Sequence, residues 1–292
     1  MDLKRFASKK YLSPILILAT LILAVYYLLH HKSLLTNLEH ISILTLFIVF
    51  VLYIVMLIIL SYIFLATTRL LSVKLDFRNN ILLNAYSLFM NFFIPGQTGP
   101  LYRGYYLKQK YKIKYADFLL ATIVYFTLYI IIAVIFILAG SQRYYITILG
   151  SLLFSILIYL AIRYYFQKHT PDSLNLSFKN ILILFTFTFL QYVIQSIIYY
   201  IEINNVDHSV HIGNVITYTG TANLAIFVSL TPGAIGIREA FLIFSERLNH
   251  LTSSIIVLAN IIDRSVYLIF LIILGLVVIL FHVQSKLKVK DK

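Results

Sequence analysis

The sequence predicts an all-α polytopic membrane protein, with six spanning helices plus two oppositely oriented re-entrant helical hairpins in an inverted-topology repeat. Three observations carry this prediction. The chain is 61% hydrophobic and 12% charged over 292 residues, a composition outside the range of soluble domains. Two long apolar stretches are broken by Pro-Gly turns, PGQTGP at 95–100 and PGAIG at 232–236. Finally, most of the lysines and arginines fall on one side of the membrane in a single threading of the chain.

The elements follow in order. An apolar run at 11–29 comes after MDLKRFASKK. It is long enough to span, and it lacks the short core and small-residue cleavage site of a signal peptide. It therefore reads as a retained first helix. Further spans are expected at 41–66, 115–139, 146–162, 181–201 and 253–281. The stretches 81–101 and 213–237 do not fit simply. From Asn80 to the first break is about 15 residues, or roughly 22 Å of helix. That is short for a hydrocarbon core of ~30 Å. Proline removes a backbone donor and glycine permits a reversal. Each broken stretch is therefore expected to enter and return on one face.

Charge supports that threading. If both stretches crossed, the loop from Arg103 to Lys114 would lie opposite Arg69, Lys74 and Arg78. If both return, these clusters share the inside with Lys4, Arg5, Arg163, Lys168 and the terminal lysines. Only Lys32, Arg143, Arg238 and Arg247 are then outside. The positive-inside rule prefers the second arrangement, in a cell membrane with both termini cytoplasmic.

The halves resemble each other. FIPGQTG at 93–99 lies beside LTPGAIG at 230–236, and ATIVYFTLY at 121–129 beside ANIIDRSVY at 259–267. A single membrane domain over 1–292 is expected, with one repeat at about 11–139 and the other at about 146–281. Inverted repeats give two pseudo-symmetric states from one packing, the basis of alternating access. Duplication that merely kept a stable bundle is the alternative.

Several chemistries have no residues to support them. There are no cysteines, hence no disulfide, thiolate nucleophile or cysteine metal site. No P-loop, dinucleotide fingerprint or Ser-His-Asp set is evident. No enzyme activity, cofactor or metal is expected. His208 and His211 lack further ligands and read as solvated residues of the polar loop EINNVDHSVH. The net charge of +13 fits the positive-inside rule and anionic headgroups; no nucleic-acid motif accompanies it.

Charges inside the apolar runs are the candidate site. Asp263 and Arg264 interrupt the last span, each at a cost of at least ~2.5 kcal/mol at a helix centre. They read either as functional or as a structural salt bridge, with Arg264 to Glu239 as one pairing. Neighbouring residues point about 100° apart on a helix, so at least one should reach Arg238 or Glu239. Arg238 and Glu239 follow the second break and Arg103 follows the first. An arginine beside a broken helix suits phosphate; Arg103 alternatively snorkels to the basic face. Asn91 shares a helix face with Asn84 and Ser87, approaching the first break. The hairpin-break residues are Pro95, Gly96, Gly99, Pro232, Gly233 and Gly236.

With NFFIPGQTGPLYRGYYL (91–107), PGAIGIREA (232–240) and ANIIDR (259–264), the chain resembles the transmembrane domain of the lysylphosphatidylglycerol synthase / flippase-like family. The resemblance implies a lipid flippase moving an anionic or phosphate-bearing lipid, either a phospholipid or a polyprenyl-phosphate-linked one. The aminoacyl transfer of the bifunctional members is not carried over, because this sequence shows no synthase domain. Tyr125 and Phe126 stand where the second half has Asp263 and Arg264, so two equivalent charged sites are not implied. Membrane lipids are the expected partners, with a separate lipid-modifying enzyme and an oligomer both compatible. The alternatives are a membrane-embedded enzyme or enzyme subunit acting on a lipid-linked sugar, with Glu239 as its acid, and a non-catalytic membrane partner.

Overall fold

The computed structural model describes residues 42–93, 98–140, 174–228 and 237–290. The expected spans at 11–29 and 146–162 lie outside the described residues, as do Pro95, Gly96, Pro232, Gly233 and Gly236. The described residues form nine helices and no strand. They are α1 (Ile43–Leu70), α2 (Phe77–Phe93), α3 (Thr98–Tyr111), α4 (Tyr115–Gly140), α5 (Phe178–Val206), α6 (Ile212–Val228), α7 (Ile237–Phe244), α8 (Glu246–Asn249) and α9 (Ser253–Lys290). Among them, α1, α4, α5 and the Ser253–Val277 part of α9 are long and apolar enough to cross a membrane. The protein is a multi-pass membrane protein.

Local sequence explains where the long helices start and stop. Ser42 caps α1, its hydroxyl accepting from the Leu44 N–H at 3.1 Å. Ser177 does the same for α5 with the Asn180 N–H at 3.4 Å. Such caps satisfy donors that the first turn leaves unpaired. Arg69 sits in the last turn of α1, where a cation suits the negative end of the helix dipole. Large apolar side chains stay uncovered, with Ile43 84% and Phe47 62% exposed. In water this surface would aggregate; in lipid it is the expected outer face.

The first broken stretch folds into an antiparallel pair. Arg103 of α3 reaches Ser87 of α2, Tyr102 lies by Tyr86, and Gly99 lies by Asn91. From the Gly99–Asn91 contact to the Arg103–Ser87 contact, residue numbers rise on α3 and fall on α2. Gly99 marks the tightest approach: a Cβ there would lie 2.6 Å from the Ser87 carbonyl oxygen. Its N–H donates to Asn91 Oδ1 at 2.7 Å, so an asparagine satisfies a donor of the first turn of α3. In the second half, α6 packs against α7.

A second close approach joins the halves. α4 and α6 run antiparallel along Gly140, Gly213 and Gly220. A Cβ on Gly220 would lie 2.6 Å from the Ala133 carbonyl oxygen, and one on Gly140 would overlap Thr217 and the Gly213 carbonyl. Small residues let backbones touch, which is how helices gain packing energy where solvent is as apolar as the side chains.

Two readings of local structure are corrected. The basic stretch from Arg103 to Lys114 is helical through Tyr111, not a loop; buried Gly104 and Leu107, three apart, give it an inward face. The segment EINNVDHSVH is only partly a loop. α5 continues to Val206 and carries Glu202 into the core, while His208 and His211 are exposed. The polar letters obscured the helix because its buried side holds Tyr199 and Ile203, which continue the apolar spacing.

Candidate functional site

A cavity of about 300 Å³ opens between the helices, with walls from α1 through α7 and from α9. Its volume suits a polar headgroup or a few atoms of chain, not a whole lipid. Arg103, Asn91, Arg238, Asp263 and Arg264, all expected as site residues, line it together. Glu239 is not on the wall but holds Arg264, which is.

The second-half charges are paired. Arg238 donates from Nη1 to Asp263 Oδ2 at 2.7 Å and from Nη2 to the Tyr199 hydroxyl at 2.6 Å. Asp263 also accepts from the Tyr53 hydroxyl. Arg238 and Asp263 are only 2% and 4% exposed. This ion pair is buried and supported by two tyrosines. Arg264 donates from Nε and Nη2 to Glu239 Oε1, both at 3.3 Å. The adjacent residues of α9 thus serve two neighbours on α7, as the 100° offset requires. Arg238 and Glu239 are themselves adjacent, so each pair uses one residue from each helix.

Arg103 differs. Its Nε donates to Ser87 Oγ at 2.9 Å, and its guanidinium lies over the Phe64 ring at 4.9 Å. The carboxylate salt bridges among the described residues belong to Arg238 and Arg264. Arg103 therefore stays in the cavity wall, not stretched to the basic face, and keeps its charge uncompensated by a carboxylate. Tyr125 of α4 stands where Asp263 stands when ATIVYFTLY is laid beside ANIIDRSVY. Tyr125 donates to Gln191 Oε1 at 3.4 Å.

Other polar residues near the breaks form helix-to-helix or local bonds. Tyr129 donates to Asn223 Oδ1 at 2.5 Å. Asn84 donates to Asn80, while Thr217 and Thr221 bond back to their own helix. Gln195 donates to the Tyr199 hydroxyl at 2.9 Å.

Tyr53, Tyr199 and Glu202 were not among the expected site residues. A signal for two of them exists. Gln191, Gln195, Tyr199 and Glu202 recur at intervals of four, four and three, one polar stripe down α5. Tyr53 carries no such signal; its role depends on α1 meeting α9, which the sequence does not specify locally.

No curated protein and no solved structure matches the chain. A family model described as "Lysylphosphatidylglycerol synthase TM region" matches residues 12–275. That range takes in the three quoted motifs and every charged residue of the cavity, and the chain belongs to this family.

Proposed function

We propose that this protein is a flippase that moves an anionic, phosphate-bearing lipid between leaflets by alternating access. The observation that carries the reading is Arg103: a guanidinium in a cavity wall, held by Ser87 and Phe64, with no carboxylate salt bridge among the described residues. A planar fork of donors in that setting is complementary to a phosphodiester. The paired charges elsewhere in the lining keep it polar at no net charge. Membership in a lipid-related membrane family supports the same reading.

The finer architecture belongs to this proposal. Six spans, two oppositely oriented re-entrant hairpins and an inverted repeat would let the cavity open to either side in turn. The antiparallel α2–α3 pair is what one such hairpin requires. Both termini would be cytoplasmic, and no chemical conversion of the lipid is needed. Glu239, the carboxylate available to an embedded enzyme, is engaged by Arg264 at 3.3 Å.

The test is reconstitution into vesicles of phosphatidylcholine and phosphatidylglycerol, following fluorescent lipids of each class. A lost charge-assisted contact costs about 1.5–3 kcal/mol. Arg103→Ala should therefore slow phosphatidylglycerol movement by about tenfold to a hundredfold. Arg103→Lys should recover part of the rate, keeping the charge without the fork. If Arg103→Ala moves phosphatidylglycerol as fast as the wild type, this reading is wrong.

A further inference from the structure

Glu202 is the buried carboxyl left uncompensated among the described residues. It is 0% exposed, and both carboxylate oxygens lack a hydrogen-bond partner. Its surroundings are charged and come from every side. Asp263 and Arg264 of α9 and Arg238 of α7 act on it electrostatically. So do Tyr53 of α1, Tyr218 of α6 and Tyr199 of its own helix. From α4, Tyr129 stands near Tyr199. Asp207, beyond the end of α5, turns away to Ser209.

The charges can be counted. Arg238 and Arg264 are matched by Asp263 and Glu239. Among the described residues those two pairs balance, and Glu202 is a third carboxyl with no salt bridge. An ionised carboxylate left unpaired in the interior is far more costly than the neutral acid. One donor in the cluster is also unspent: Arg238 Nε is buried without an acceptor. An unused donor on the arginine and two unused acceptors on Glu202 define an alternative pairing for the same guanidinium.

We propose that Glu202 is the proton-binding carboxyl of the transport cycle, carrying a proton while Arg238 is held by Asp263 and releasing it when Arg238 turns to Glu202. This rests on the transport reading above. The step makes and breaks only the Glu202 O–H bond: the proton passes to water as hydronium and returns from hydronium on the opposite side. Asp263 keeps the Tyr53 hydroxyl and the field of Arg264 when Arg238 leaves. Arg238 shuttles between two carboxyls, and the proton tracks its position.

Two measurements on the full chain test this. The first is the infrared carbonyl band of a protonated carboxyl in the purified protein, expected in the wild type and absent in Glu202→Gln. The second uses the phosphatidylcholine–phosphatidylglycerol vesicles with fluorescent phosphatidylglycerol and an imposed pH gradient. Coupling of one proton per lipid gives about tenfold lipid asymmetry per pH unit. Glu202→Gln, fixed in the shape of the neutral acid and unable to take Arg238 as a carboxylate, should lose the asymmetry that the pH gradient drives. Lipid movement without the band, or a gradient response that Glu202→Gln retains, overturns the assignment and leaves transport standing. The band without any lipid movement supports the proton site and overturns transport instead.

Discussion

Removing Asp263 should damage the fold more than any other change in the charged cluster. In Asp263→Ala, Arg238 loses its 2.7 Å partner and keeps only the Tyr199 hydroxyl. Arg238 is 2% exposed, and taking Glu202 as its partner instead would first require that buried acid to give up its proton, so the loss is not recovered at neutral pH. Tyr53 loses its acceptor as well. Breaking a buried pair from one side costs about 3–5 kcal/mol. At roughly 2–4 °C per kcal/mol for a chain of this size, Tm should fall on the order of 10 °C. Thermal unfolding of the detergent-solubilised protein reads this directly. The companion double variant, Arg238→Met with Asp263→Leu, removes both charges and fills the volume. It should recover most of the loss, because buried pairs are near break-even against apolar isosteres. Asp263→Ala melting within a degree or two of wild type would refute the reasoning. Simple additivity of the two single changes would do the same.

Further outcomes are expected. Arg264→Ala breaks a pair whose side chains are 22% and 28% exposed; it should cost less than about 1 kcal/mol of stability yet slow anionic lipid movement, and a wild-type rate for every anionic lipid tested would remove Arg264 from the site. Tyr53→Phe deletes the hydroxyl donating to Asp263 and should cost about 1.5–3 kcal/mol in the same melting assay. Gly220→Val places a side chain where the Ala133 carbonyl oxygen would be 2.6 Å from its Cβ; a loss of about 1–3 kcal/mol is expected, against a small effect for Gly275→Ala, whose nearest neighbour would be the Phe89 ring. In the turn after α5, Asp207 is held below its ordinary value of 3.8 by the Ser209 hydroxyl and then the Ser209 N–H. A depressed acid contributes stability above its ordinary value and loses it as pH falls through the depressed one. Ser209→Ala should therefore move Asp207 titration upward, and with it the acid end of the stability profile; an unchanged titration would contradict the Ser209–Asp207 geometry.

Much of the helical layout was legible because long apolar runs bounded by charges have one physical solution in lipid. α1, α4, α5 and α9 begin within a few residues of their expected starts. The polar ends were harder: helices outlast the apolar run, so α3 and the end of α5 read as loops. For the site, adjacency on α9 and after the second break limited the possible partners, and both cross-pairs involve those residues. Which arginine pairs with which acid depends on how α7 lies on α9, a tertiary fact. The state of Arg103 was undecidable locally, because snorkelling and a cavity-facing rotamer need the same residue type. Glu202 was obscured by its company: INNVDHSVH is polar enough to suggest solvent, and only the spacing back to Gln191 shows the buried stripe.

The glycine seam between α4 and α6 has a mechanical consequence. Where backbone touches backbone few side chains, Thr217 and Ile137 among them, are left to change rotamer, so sliding would drive carbonyls into Cα atoms rather than exchange one packing for another. In the proposed transport cycle the two helices would travel together, as one stiff beam crossing from the first half to the second. Opening on either side would then be borne by other helices, such as the α2–α3 pair carrying Arg103. The arginine would then move while the Asn223–Tyr129 link, spanning α6 and α4, stays put. Distances measured between labels on α4 and α6 should hold constant through the cycle, and those from α3 to α6 should not.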